Sequence, residues 1–320
     1  MSAAPQRRDV VVIGGSAGAL EALQRLVAAL PADLPAAVFV VLHLSPSHRT
    51  HLPEILGRAG PLPVELAVHG APVTPGRIVV APPDNHLMLR PGQVAVVRGP
   101  KENGHRPAVD PLFRSAAAAY GRRVTAVILS GALDCGTAGL MVVRARGGLT
   151  LVQRPDDAQV PSMPHSALKH VQVDHVGSAG DLGAYLARAV ADPLPAEEEG
   201  AVSGERVPGE PPAEGAPLAD VVCPLCQGVM TEAREGDFVL MRCHVGHAFS
   251  LDGLLQTQFE SLEAALWAGA RALEESARVA RRAARARREP ALEERAATLE
   301  EQAATIRRML LAPGWGPTTR

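Results

Sequence analysis

The chain has 320 residues, of which 47% are hydrophobic, and its formal net charge is -2. This length and apolar content suffice for a sizeable α/β domain and something smaller, whereas a nearly neutral charge gives no reason to expect nucleic acid as a partner. No apolar run approaches the roughly 20 residues that span a bilayer and the N-terminus has no signal-type apolar segment, so we expect a cytoplasmic protein without membrane insertion.

Apolar runs without alternation predict strands that are buried on both faces. They are Val10 to Ile13, Ala37 to Leu42, Ile78 to Ala81, Val124 to Leu129 and Leu149 to Val152. Helical periodicity predicts helices at Ala19 to Leu30, Pro111 to Tyr120, Ala138 to Arg146 and Leu182 to Val190. Alternating strands and helices indicate an α/β fold with a doubly wound, mostly parallel sheet, and residues 77–97 predict an inserted hairpin.

Composition divides the chain further. Residues 1–191 are predicted to form the α/β domain, and residues 192–220, rich in proline, glycine and glutamate, a flexible linker. Residues 221–250 predict a small zinc-ribbon-like module, and residues 251–312 predict a pair of helices.

The first predicted strand leads into a glycine turn that carries Ser16 and then into a helix. A serine at such a turn has its hydroxyl clear of the sheet, beside amides of the first helical turn that can hold a developing oxyanion. Residues 14–18, GGSAG, match the G-x-S-x-G pattern of nucleophilic serines, although such turns also bind phosphates. Ser16 is therefore a candidate nucleophile.

A nucleophilic serine needs a base and a group that orients this base. His43 directly follows the second predicted strand, and Asp134 and Cys135 lie in the loop after the fourth. The carboxyl ends of strands in an open parallel sheet meet in one crevice where ligands bind, so we expect these residues to converge there with Ser16. Six other histidines, among them His105, are expected to be solvated.

Three of the four cysteines lie in one short segment, which favours a metal site over a disulfide framework. Sixteen residues separate Cys223 and Cys226 from the pair Cys243 and His247, and the intervening segment alternates like a β-hairpin. This spacing suits tetrahedral Zn²⁺, with His244 as an alternative fourth ligand. We expect structural zinc, because no coordination position is left open, and no cofactor for catalysis.

Two amphipathic segments follow Ser250, the predicted N-cap of the first, and they are separated at Pro290. They predict an antiparallel helical hairpin or a coiled-coil surface for a homodimer. Arginines gather at the end of the first segment and glutamates just beyond the turn. Mutual neutralisation is preferred over nucleic-acid binding, because no aromatic residues are interleaved with the arginines.

Five segments together resemble the catalytic domain of the chemotaxis methylesterase family CheB. They are residues 12–23 (VIGGSAGALEAL), 41–46 (VLHLSP), 75–86 (PGRIVVAPPDNH), 106–113 (RPAVDPLF) and 129–140 (LSGALDCGTAGL). Their order and spacing agree across about Asp9 to Val190. The C-terminal extension resembles stand-alone members of the family, so we expect a type without the N-terminal receiver domain and without its control by phosphorylation.

The resemblance implies a serine hydrolase that cleaves γ-glutamyl methyl esters in the cytoplasmic helices of chemoreceptors and can also deamidate receptor glutamines. At the matching positions, Ser16 would be the nucleophile and His43 the general base. The oxyanion hole would lie near the backbone amides of Ala17 and Ala132. Methylated chemoreceptor helices, and further proteins of the chemosensory pathway, would be the partners.

Two positions depart from the family pattern. The ungapped match places Cys135 at the family's acid position, with Asp134 one residue earlier. A thiol is a poor substitute for a carboxylate beside imidazolium, so either Asp134 reaches His43 after a small backbone shift or catalysis is reduced. A Cys135 nucleophile is a third alternative. The methionine of the family's Gly-Met-Gly turn is also absent, since residues 132–133 are Ala-Leu.

Two other classes of protein compete with this interpretation. The opening glycine motif also occurs in dinucleotide-binding oxidoreductases, but here Ser16 and Ala19 replace two fingerprint glycines and the next strand ends at His43 instead of an acidic residue. A catalytically weak or inactive scaffold that binds receptors or signalling partners is the second competitor, and the cysteine at the acid position favours it.

Overall fold

The computed structural model describes residues 6–43, 50–194, 218–235, 237–313 and 315. They belong to two compact units, one that extends to Gly253 and one that begins at Leu254. In chain order, the α/β part of the first unit consists of β1 (Val10–Gly15), α1 (Ala19–Ala28), β2 (Ala37–Leu42), α2 (Leu52–Ala59), β3 (Val64–Leu66), β4 (Arg77–Val80), β5 (His86–Arg90), β6 (Gln93–Val97), α3 (Val109–Tyr120), β7 (Val124–Ile128), α4 (Thr137–Ala145), β8 (Leu149–Gln153), α5 (Ser162–His170), β9 (His175–Gly177) and α6 (Ala179–Ala191).

Seven strands form one parallel sheet in the order β3-β4-β2-β1-β7-β8-β9. The side chains of β1 alternate between two buried clusters, with Val10 and Val12 on one face and Val11 and Ile13 on the other. Helices α3, α4 and α5 contribute to the first cluster, and α1, α2 and α6 to the second. The predicted doubly wound sheet is therefore confirmed, and burial on both faces explains the unbroken apolar runs.

All five predicted strands occur within one or two residues of the expected positions, and β5 and β6 pair as the predicted antiparallel hairpin. The sequence interpretation missed β3 and β9, together with α2 and α5. The two missed strands have three residues each and lie at the edges of the sheet, where fewer side chains are buried. Such short, partly polar segments carry little periodic signal.

The segment that contains three cysteines, residues 218–250, is called here the cysteine module. Its strands β10 (Leu218–Val222), β11 (Val229–Glu235), β12 (Phe238–Cys243) and β13 (Ala248–Ser250) form an antiparallel sheet in sequence order. The central pair is the predicted hairpin. Strand β10 pairs with β11, so residues 218–220, which were predicted to belong to the linker, are part of this sheet. Residues 195–217 of the predicted linker lie outside the described residues.

Helices α7 (Leu251–Arg287) and α8 (Pro290–Leu310) follow the cysteine module. From Leu254 onward they form an antiparallel hairpin, and from Ala270 onward its buried residues recur every seven positions on each helix. These are Ala270, Ala277 and Ala284 on α7, and Ala296, Ala303 and Leu310 on α8. Arg281 near the end of α7 pairs with Glu293 and Glu300 of α8, in line with the predicted neutralisation. The homodimer stays a prediction.

In the part of the chain that the structure describes, no helix is both long enough and apolar enough to cross a membrane.

Candidate active site

The carboxyl ends of β1, β2 and β7 meet at one edge of the sheet. Register pairs Gly15 with Leu42, so Ser16 and His43 leave neighbouring strands side by side, and the His43 N–H donates to the Gly15 carbonyl over 3.3 Å. The Ser16 N–H donates to the carbonyl of Ser130, two residues beyond β7, over 2.9 Å. The predicted convergence of three strand ends is thus present.

The turn after β1 presents its backbone to the crevice. Gly18, the N-cap of α1, adopts a positive φ of 71°, a conformation that glycine tolerates without strain. Because this left-handed position of the turn falls on Gly18, Ser16 keeps a negative φ. Ser130 Oγ donates to the Ala17 carbonyl over 2.7 Å and thereby holds the turn against the β7 loop. Among the described residues, neither the Ala17 N–H nor the Ala132 N–H has an acceptor. As far as the described part of the chain goes, both amides are therefore open to a ligand.

His43 contacts Cys135 directly. Its Nε2 lies 3.3 Å from Cys135 Sγ, and its buried Nδ1 has no hydrogen-bond partner among the described residues. The ungapped match of the loop is thus reproduced in space, with the thiol beside the imidazole. Which of the two groups donates depends on the tautomer of the ring.

The surroundings of Cys135 favour a neutral thiol. The side chain is 2% exposed, and its Sγ accepts the Val109 N–H at the start of α3 over 3.4 Å. Burial, reinforced by the nearby Asp110 carboxyl, raises the pKa of the Cys135 thiol well above its ordinary value. The thiol therefore stays protonated, which speaks against the alternative of a Cys135 nucleophile, because the thiolate is the reactive form.

Asp134, the other candidate acid, has a different partner. Its carboxyl accepts a hydrogen bond from Ser250 Oγ over 2.7 Å, and Ser250 belongs to the cysteine module. Burial raises the pKa of Asp134 to about 7. Of the alternatives that the sequence left open, the one in which Asp134 reaches His43 is not the arrangement in the structure, where Cys135 faces the imidazole after a turn at Leu133 with a φ of 61°.

A second histidine lies against the first. His105 and His43 stack with their ring centroids 3.8 Å apart, so the expectation that His105 is solvated is wrong. Burial and the neighbouring His105 hold the pKa of His43 well below its ordinary value. Sequence reasoning missed His105, although it directly precedes residues 106–113, a segment that the family resemblance had singled out.

The four predicted metal ligands also converge. The ligand atoms of Cys223, Cys226, Cys243 and His247 lie within 4.8 Å of one another. Cys226 Sγ is 3.6 Å from Cys243 Sγ, which is 3.5 Å from His247 Nδ1. A tetrahedron with Zn–S distances of about 2.3 Å has edges of about 3.8 Å, so this donor set fits zinc in both size and chemistry. His244 is exposed and lies outside the cluster.

Comparison with known proteins identifies the fold that carries this site. A family model described as CheB methylesterase matches residues 11–186, more than half of the chain. The chain belongs to the CheB methylesterase family. The matched CheB range includes Ser16, His43 and Cys135, whereas the cysteine module and the C-terminal helices lie outside it.

Relatives of this CheB-family chain carry two activities in their names. This chain is 39% identical over 177 residues to protein-glutamate methylesterase/protein-glutamine glutaminase 2 of Anaeromyxobacter dehalogenans. The match covers 54% of this chain and 52% of that protein. The corresponding protein 4 of Myxococcus xanthus is 37% identical over 184 residues, which are 57% of this chain and 52% of the relative. The chain thus spans about half the length of these curated relatives.

The CheB catalytic domain of Thermotoga maritima is a solved structure of the same fold. It matches with a TM-score of 0.54 and 33% sequence identity, over 56% of this chain and 97% of the Thermotoga domain. The parallel sheet with helices on both faces is therefore the architecture of a CheB catalytic domain.

Proposed function

We propose that this chain is a protein-glutamate methylesterase that hydrolyses γ-glutamyl methyl esters of chemoreceptors and also deamidates receptor glutamines. The observation that carries the proposal is the meeting of Ser16, His43 and two backbone amides that have no acceptor among the described residues, all at one edge of a CheB-type sheet. The names of the relatives support both activities. Receptor methylation sites of this kind lie in the cytoplasm, so the proposal implies that this chain acts there.

In the proposed mechanism, Ser16 Oγ attacks the γ-carbonyl carbon and His43 takes the hydroxyl proton. Because Nε2 faces Cys135, Nδ1 is the ring nitrogen that serves as the base. The amides of Ala17 and Ala132 stabilise the tetrahedral oxyanion. His43 then gives this proton to the methoxy oxygen as its bond to the carbonyl carbon breaks, so methanol leaves. Water, activated by His43 in the same way, then hydrolyses the acyl-serine to glutamate and restores Ser16.

The rate of this mechanism is expected to fall at acid pH. His43 must be neutral to accept the proton, and its pKa is lowered by burial and by His105. We expect the acid limb of the kcat/KM profile to lie below pH 6.5, about the value of an ordinary histidine. Replacing His105 with phenylalanine, which retains an aromatic ring without a titratable charge, should move the limb upward. A wild-type limb at or above pH 6.5 would contradict the proposed role of buried His43.

Methanol release from a methylated chemoreceptor cytoplasmic fragment tests the function. The wild-type chain is expected to release methanol, and ammonia from a fragment that carries glutamine at the same sites. Release from the ester alone would restrict the proposal to the esterase.

An inactive scaffold is the second candidate, and the neutral thiol at the acid position is the observation that favours it. A scaffold would bind the methylated fragment without releasing methanol, so binding and release are measured on the same sample.

We further propose one structural zinc ion bound by Cys223, Cys226, Cys243 and His247. Bound zinc would cross-link the turn at residues 223–226 to the segment 243–247. Cys226→Ser is expected to lose stoichiometric metal and to unfold the cysteine module, as measured by metal analysis and proteolysis. His244→Ala is the matched control and should retain about one metal ion per chain. Equal metal contents in the two variants would refute this ligand set.

A further inference from the structure

Two loops of the active site also contact the cysteine module. Loop 100–107 carries His105, which stacks on His43, and loop 131–136 carries Asp134 next to Cys135. The His43 side chain thus has one of these loops against its ring face and the other against its Nε2. Any contact that fixes both loops will also fix the environment of the imidazole.

Loop 100–107 is joined to strand β13 by Asn103. The Asn103 N–H donates to the Ala248 carbonyl over 2.8 Å, and its side-chain Oδ1 accepts the Ser250 N–H over 2.9 Å. Asn103 is 8% exposed, so these bonds are shielded from water. On its other side the loop is held to α3 by the ion pair between Glu102 and Arg114. The loop is therefore fastened to both the α/β part and the cysteine module.

Loop 131–136 is joined to the same strand by the hydroxyl of Ser250. This hydroxyl donates to Asp134 over 2.7 Å and accepts the Gly253 N–H, at the start of α7, over 3.0 Å. Ser250 is 2% exposed and Asp134 6% exposed. A Cβ at Gly253 would lie 2.4 Å from Asn103 Oδ1, so the close approach at this junction requires glycine. One residue thus connects both active-site loops.

We propose that Ser250 is a positioning residue of the active site, through which the cysteine module holds loops 100–107 and 131–136 around His43. The inference rests on the proposed function of that site. Metal binding is coupled to this role because β13 directly follows His247, whose carbonyl accepts the Cys243 N–H over 3.0 Å. The ligand segment 243–247 therefore sets the position of Ser250.

The test compares Ser250→Ala with Ser250→Thr in the full chain. Metal content, hydrogen exchange of residues 100–107 and 131–136, and the rate at which a fluorophosphonate labels Ser16 are measured on each. The alanine variant is expected to keep its metal, to exchange faster in both loops, and to label at least about tenfold more slowly, because small displacements of catalytic groups cost large factors in rate. Threonine retains the hydroxyl and should restore both readouts.

Asp134→Ala and Asp134→Asn form a second pair, which leaves the Ser250 cap of α7 intact. Asparagine keeps an acceptor for the Ser250 hydroxyl and should retain the protection of residues 131–136, whereas alanine should lose it and slow the labelling. This pair decides the question if Ser250→Ala does not fold. Removing the metal from the wild-type chain with a chelator is expected to raise exchange in both loops.

Unchanged exchange and labelling in metal-loaded Ser250→Ala, or in Asp134→Ala, would overturn the proposal. Wild-type Ser16 that is never labelled would refute the proposed esterase, while the exchange measurements would still decide whether the cysteine module holds the two loops. The two failures are therefore distinguishable.

Discussion

Ser16→Ala is expected to lower the rate of methanol release by at least about 10³-fold, since a nucleophile that acts with a base contributes a factor of this size or more. His43→Ala should have a comparable effect. The two residues act as a unit, so the double variant is expected to be no slower than the slower single variant. Initial rates on the methylated receptor fragment measure all three.

The control for this result is the folded state of each variant. Ser16 lies at a turn in which its N–H, and not its side chain, bonds to Ser130, so alanine should leave the thermal midpoint nearly unchanged. If Ser16→Ala retains more than a tenth of the wild-type rate, Ser16 is not the nucleophile. Additive losses in the double variant would mean that Ser16 and His43 act independently.

Cys135→Asp is expected to raise kcat for methanol release at least about tenfold. The neutral Cys135 thiol can donate to His43 Nε2, which leaves the proton of the ring on Nδ1, where the base is needed. A carboxylate can only accept, so it fixes the proton on Nε2 and stabilises the imidazolium that forms during the reaction. The Val109 N–H that now points at sulfur would bond to the carboxylate.

Cys135→Asn is the matched control, because asparagine has nearly the shape of aspartate without its charge. Its amide also donates to Nε2, so we expect no gain in kcat. Circular dichroism establishes that both variants fold, given that buried Asp110 and Asp134 lie near the new carboxylate. An Asp variant that folds but is no faster than the Asn variant would show that the thiol does not limit catalysis.

Several features could be predicted because the signal is local in the sequence. Apolar runs buried on both faces predicted the five strands, and the end of each run placed Ser16 and His43 at the carboxyl edge of the sheet. The spacing of Cys223, Cys226 and Cys243 predicted a cluster within a single hairpin. The short edge strand β3 and helix α5 were missed because few of their residues carry a periodic apolar pattern.

The sequence by itself determined the doubly wound sheet, the serine and histidine at its edge and the cysteine cluster, since each depends on neighbouring residues or on strand order. Only the tertiary structure decided that Cys135 faces His43 while Asp134 faces Ser250, and that His105 stacks on His43. These contacts join segments more than 60 residues apart in the sequence, and the direction of each side chain decides which residues make them. In the turn at Leu133, with its positive φ, neighbouring side chains point to different partners, so a difference of one residue decides which group meets the imidazole.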